Sequence, residues 1–172
     1  MANRKVCFPH RPPKKQLNPM KPEKSLRARA MDILSRREIS RAELKRKLAS
    51  HAESEDEVEA VLNEFAERHW QSDTRYAEAY IHSKSRQHGK LRLKQALAAK
   101  GVSEDIVREL MPDRDSEQAA AIEVLRKKFK QPAADLAEKH KQMRFLAYRG
   151  FDMDIIQTAM KSSWQEDETD GF

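Results

Sequence analysis

Leu97-Ala98-Ala99-Lys100-Gly101-Val102 returns 49 residues later as Leu146-Ala147-Tyr148-Arg149-Gly150-Phe151. Each copy reads as the end of a helix. A leucine closes the apolar face, a basic residue suits the negative end of the dipole, and a glycine supplies the left-handed residue that a helix C-terminus favours. Leu48 precedes Leu97 by the same 49 residues, and Ile106 and Ile155 keep that interval. In the first unit, Leu44 and Leu48 correspond to Leu93 and Leu97, while residues 51–54 replace the glycine turn. Val58 and Leu62 then match Ile106 and Leu110 at an interval of 48. A period near 49 predicts one three-helix unit per repeat.

The punctuation around these segments agrees. Ser40 before Glu43 and Ser54 before Glu57 have capping-box spacing. Asp73, Ser103, Ser116 and Asp152 stand where further N-caps are expected, and Pro112 and Pro132 mark breaks. Apolar residues recur at three and four between the breaks, as in Val58, Val61, Leu62 and Phe65, or Ile122, Leu125 and Phe129. Nine helices are predicted, near 26–36, 41–50, 55–69, 74–87, 90–100, 104–110, 116–129, 133–149 and 153–163.

Composition excludes the other fold classes. Only 38% of the 172 residues are apolar and 36% are charged, against roughly 45–50% and 25% in ordinary globular domains. Four glycines and no Val/Ile runs rule out a sandwich, a barrel or a large parallel sheet. The expected fold is all-α: an elongated tandem array of three three-helix repeats, helix-turn-helix-like units making a body of roughly 60 Å. Its parts are a basic, proline-rich arm (1–24), repeats at 25–71, 72–112 and 113–164, and an acidic tail (165–172). The arm is expected to be extended. It holds seven basic residues against Glu23, the tail four acids, and the body between them 27 basic and 23 acidic residues.

The lone Cys7 fits a reducing cytoplasm, and no apolar run is long enough for a membrane span. The basic leader lacks the apolar middle of a signal peptide. A cytoplasmic monomer that touches no membrane is expected.

Active-site chemistry is not indicated. Gly89-Lys90-Leu91 lacks the upstream glycines of a phosphate-binding loop. His10, His51, His69, His82, His88 and His140 show no ligand spacing, and surface positions are expected for His82 and His88. Asp113 with Asp115, and Asp152 with Asp154, fall at helix starts, where acids cap and complement the dipole. No catalytic residue, metal or cofactor is assigned, and an enzyme is not expected.

Charge is what remains. Lys84, Arg86, His88, Lys90, Arg92 and Lys94 bracket the break at Gly89 without one acid among them. A second run, Arg126, Lys127, Lys128 and Lys130, ends the seventh helix. A third, Arg36, Arg37, Arg41, Lys45, Arg46 and Lys47, is interleaved with Glu38 and Glu43. Each run also has a purely structural reading as a solvated helix face or a dipole-complementing terminus. No aromatic residue is interleaved with the acid-free run, so it offers no stacking platform for bases. Tyr76, Tyr80, Phe129, Phe145, Tyr148 and Phe151 are read as core, and Trp70 and Trp164 as covers for junctions between units. With a pI near 9.4, nucleic acid or a nucleoprotein is the favoured partner.

Ser72-Asp73-x-Arg75-Tyr76-Ala77, then Ser85-Arg86, Gly89, Arg92-Leu93, Leu97 and Lys100-Gly101-Val102, resemble the second repeat of the RecX family. Arg144-Phe145-Leu146-x-x-Arg149-Gly150-Phe151 with Asp154-Ile155-Ile156 is similar to that family's C-terminal signature. The resemblance covers about Ser25 to Ser163. Two positions depart from it: Lys90 stands where many members have proline, and Ala96 where an acid is common, both making the corner more basic and its turn looser. The resemblance implies a non-enzymatic regulator that binds the groove of the RecA nucleoprotein filament and suppresses its ATP hydrolysis, strand exchange and coprotease activity. Charge alone nominates Arg86, Lys90, Arg92 and Lys94 as contacts, with Arg126, Lys127 and Lys128 second. Weak, nonspecific binding of single- or double-stranded DNA is compatible with this, and a direct helix-turn-helix DNA binder is the alternative.

Overall fold

A computed structural model describes residues 24–164, so the expectations for the arm (save Lys24), for Cys7 and His10, and for the acidic tail lie outside the described residues. The described chain is all helix and turn, with no strand: α1 (Leu26–Leu34), α2 (Arg41–Ala49), α3 (Glu55–Glu67), α4 (Asp73–Lys84), α5 (Lys90–Ala99), α6 (Glu104–Leu110), α7 (Arg114–Lys128), α8 (Leu136–Tyr148) and α9 (Met153–Ser162). The helices pack in threes, α1–α3, α4–α6 and α7–α9, each around its own core. Leu48, Leu97 and Leu146 are each fully buried at the same place in the three units.

The third helices begin at Glu55, Glu104 and Met153, so the period is 49 here as well. Burial aligns Val58 with Val107 and Ile156, not with Ile106. The interval of 48 is therefore corrected: α6 is short and both Ile106 and Val107 are apolar, so periodicity alone does not choose which faces inward.

Caps decide where the helices start. Ser25, Ser40, Ser54 and Ser72 each accept a hydrogen bond from the backbone N–H three residues on. Ser72 caps α4 where Asp73 was expected, and Asp113 caps α7 in place of Ser116, so α7 begins two residues early. α8 begins at Leu136 instead of 133. Asp135 accepts from the Glu138 N–H at 2.7 Å, and Glu138 accepts from the Ala134 N–H at 3.0 Å, a reciprocal cap just past Pro132. Ser103 and Asp152 hold N-cap positions without a side-chain bond.

The aromatic expectations divide. Phe151 is buried and Tyr76, Tyr80, Phe129 and Phe145 lie against the cores, whereas Tyr148 is 80% exposed. Tyr148 occupies the last turn of α8, one residue before the turn that meets unit 2. Trp70 and Trp164 cover the cores of their own units, not the junctions: Trp70 lies edge-on to Phe65 at 5.1 Å, and Trp164 packs on the unit 3 core.

Units join in a row, with each turn between second and third helices receiving the preceding unit. Ser40 Oγ donates to the Lys100 carbonyl at 2.7 Å, and 49 residues later the Gly89 N–H donates to the Arg149 carbonyl at 2.9 Å. The turn glycines lie at φ +77° (Gly101) and +81° (Gly150), against the start of α2 and α5 respectively. Unit 1 has no such neighbour before it, and residues 51–54 turn without a left-handed residue. Among the described residues no hydrogen bond or ion pair joins unit 1 to unit 3.

Candidate basic surface at the junction of units 2 and 3

The acid-free run from Lys84 to Lys94 is the corner between α4 and α5, and this corner is the face that unit 2 turns toward unit 3. Its middle is consumed by that contact. The Lys90 N–H donates to Glu117 Oε1 of α7 at 2.8 Å, and its ammonium lies 3.6 Å from Oε2. Glu117 is buried, with 3% of its side chain exposed, so it caps α5 from the next unit. The same device holds the first junction, where the Arg41 N–H at the start of α2 donates to Asp73 Oδ1 of α4 at 2.7 Å. Lys90 thus tightens the corner, correcting the looser turn expected from a residue other than proline there. Arg92 is exposed but donates to the Tyr148 carbonyl at 2.9 Å.

Arg86 and Lys94 point to solvent and form no ion pair with a described residue. In the second run, Arg126 donates to the Ser163 carbonyl at 2.8 Å, which ties α7 to the end of α9, while Lys127 and Lys128 are exposed. Of the third run, Arg41 and Lys45 are held by Glu59, and Arg37 by Glu43. Its remaining charge lines a hollow of about 560 Å³ in unit 1, where Arg36, Arg37 and Lys47 meet Arg29 and His51 around Asp32. Arg29 and His51 were missed because they lie outside any basic run and are gathered only by the α1–α2 packing.

His88 is not a surface residue as expected. It is part-buried, its Nδ1 is enclosed without a partner, and burial, with Arg92, Arg149 and Lys84 adding repulsion, pushes its pKa below the ordinary 6.5. Below 6.5 the unfolded chain takes up a proton that the folded chain resists. The stability held by neutral His88 is therefore complete above 6.5 and is lost as pH falls through the lower folded value. Replacing His88 by Asn should flatten the melting temperature between pH 6.5 and 5, as read by calorimetry; a profile as steep as wild type would reject this assignment. Glu43, held low chiefly by its hydrogen bond to Lys100, acts in a different window, losing its contribution only as pH falls below its ordinary 4.5.

No three His, Cys, Asp or Glu side chains come together among the described residues, and no described helix is long and apolar enough to cross a membrane.

Residues 27–65, 72–111 and 115–160 match, in order, the family models of the first, second and third three-helix domains of RecX. A regulatory protein RecX of Neisseria meningitidis serogroup C is 73% identical over 152 residues, 88% of this chain and 99% of that one. One from Chromobacterium violaceum is 46% identical over 144 residues, covering 84% and 94% of the two chains. The crystal structure of RecX from Lactobacillus salivarius superposes with a TM-score of 0.70 at 22% identity, over 79% of this chain and 92% of that one.

Proposed function

The chain belongs to the RecX family, and from that premise we propose that it is a non-enzymatic negative regulator of the RecA recombinase. It acts in the cytoplasm as a monomer, lying in the groove of the RecA–DNA filament. There it restrains ATP hydrolysis, strand exchange and coprotease activity, and so recombinational repair and the SOS response. The observation that carries the mechanism is a row of three units whose exposed cations, Arg86 and Lys94 on unit 2 and Lys127 and Lys128 on unit 3, form no ion pair with a described residue and lie on successive repeats. A row of rigidly joined units spans several protomers of a filament. Occupying the groove excludes a second DNA, and inhibition follows if the row binds an inactive filament state more tightly than the active one.

The test is ATP hydrolysis by preformed RecA–single-stranded DNA filaments during titration with this protein. Inhibition is expected well below equivalence with RecA. The double variant R86E/K94E should need about tenfold more protein for the same inhibition while melting as wild type, since neither side chain holds a structural contact. Inhibition only at saturation of the DNA would instead mark a basic DNA binder and overturn the reading.

A further inference from the structure

The internal repeat supplies its own control for the basic corner. At the first junction the positions are Ser35, Ile39, Glu43 and Lys100, and Glu43 pairs with Lys100 at 3.0 Å. Moved by 49 residues, the same four positions at the second junction are Lys84, His88, Arg92 and Arg149. The carboxylate has become an arginine, and its partner has remained basic. The second junction therefore gathers nitrogen groups from α4, the α4–α5 turn, α5 and the end of α8 with no ion-pair partner among the described residues. The nearest buried acid, Glu117, is occupied by Lys90.

Two further observations point to a missing anion. Arg149 Nε and His88 Nδ1 are both buried without a hydrogen-bond partner. An arginine N–H is always a donor, and leaving a buried one unpaired costs more than almost any other polar group. Arg149 is fixed in place by its stack on Phe145, with Cζ 4.4 Å from the ring centroid, and by its carbonyl, which accepts from the Gly89 N–H. Its head is thus held in place at the junction, with Nε enclosed. Beside it, Tyr148 is 80% exposed, with its carbonyl held by Arg92. An exposed aromatic residue is therefore tied by its backbone to the acid-free run, brought there by the junction and not by sequence order.

We propose that the junction of units 2 and 3 is a phosphate-binding subsite in which Lys84, His88, Arg92 and Arg149 hold one backbone phosphate of a nucleic-acid strand, with the Tyr148 ring open to the adjoining base. Four like-charged or donor groups held together by the fold gain most from an oxyanion, which supplies the acceptors that Arg149 and His88 lack. An exposed tyrosine next to cations suits a single strand, whose bases are free to stack. The subsite extends the reading above, since the ligand would be a strand met within the nucleoprotein.

The test omits RecA, so that its failure and the failure of filament inhibition are separable. The full chain is titrated with dT12 and, separately, with inorganic phosphate, while nuclear magnetic resonance follows the Arg149 Nε–H and the His88 ring. With dT12 the Nε–H should shift downfield and become protected from exchange, and the His88 titration midpoint should rise as the anion offsets the surrounding repulsion. Arg92→Glu loses the hydrogen bond to the Tyr148 carbonyl but recreates the Glu43–Lys100 pairing, so it should melt close to wild type yet bind dT12 about tenfold more weakly. Tyr148→Ala should weaken dT12 and leave the phosphate response unchanged. A response to phosphate but not to dT12 would overturn the assignment to a strand. Absence of any response at Arg149 and His88, as expected if bound water alone satisfies them, would overturn the subsite, as would unchanged binding in Arg92→Glu.

Discussion

Gly89→Ala is expected to lower stability by about 2–3 kcal/mol and to uncouple unit 3 from unit 2. The backbone of Gly89 lies at φ −75°, which alanine adopts readily, so no conformational strain is involved. The obstacle is the neighbouring unit. A Cβ at residue 89 would sit 2.5 Å from both the Gly150 carbonyl carbon and the Phe151 Cα, and backbone cannot step aside as a flexible side chain does. The turn must retreat, and with it go the Gly89–Arg149 and Leu91–Gly150 hydrogen bonds. Phe151 is the one core residue that the added Cβ meets, which makes the variant a probe of the junction and of the edge of the unit 3 core next to it. Trp70 reports on unit 1 and Trp164 on unit 3, so fluorescence of the W70F and W164F backgrounds follows the two ends separately. The Trp164 transition should fall by roughly 5–10 °C, while the Trp70 transition moves much less. Equal shifts at both tryptophans, or none, would mean that the units do not lean on one another through this turn.

Most of the fold was legible because the signals that specify it are local. A buried leucine every 49 residues, serines at helix starts and a glycine after the second helix of units 2 and 3 place helices whatever their partners do. What escaped were facts that exist only between units. Asp73 reads as an N-cap by its position, yet its carboxylate turns to the Arg41 and Gln71 N–H groups of unit 1 and its neighbour. Glu117, which no motif in the sequence singles out, lies in the first turn of α7 and is the most buried carboxylate of the ion pairs. Tyr148 reads as core because it sits three residues after Phe145 in a helical run, yet the buried stripe of α8 passes through Gln142 and Leu146 instead. The candidate surface shows the same division. A basic run in a sequence reports how many cations are close along the chain; which are free depends on acceptors that folding brings to them, as Glu117 of the next unit does at Lys90 and as the Ser163 carbonyl, at the far end of the same unit, does at Arg126. The exposed set narrows accordingly to Arg86, Lys94, Lys127 and Lys128, with Arg92 shared between the junction and the surface.

Glu117→Ala should cost about 3 kcal/mol, because it removes the carboxylate that accepts from the Lys90 N–H and leaves a void in the junction. Glu117→Gln should cost less than half as much: its amide oxygen still accepts from that N–H, and only the attraction to an ammonium 3.6 Å away is lost. Lys90→Pro separates two ideas about the corner. Proline favours the first position of a helix, so by local propensity alone it should be neutral or slightly stabilising. Here it deletes the N–H and the ammonium together and strands a buried carboxylate, so a loss of about 3 kcal/mol is expected instead. The decisive measurement is the pair. In Lys90→Pro/Glu117→Ala neither orphan remains, and only the void is left, so the double variant should unfold at a denaturant midpoint above that of Lys90→Pro alone. A coupling of more than about 1 kcal/mol between the two positions is then expected from the cycle. Strict additivity would mean that Lys90 and Glu117 act independently, and the carboxylate would no longer explain why α5 starts where it does.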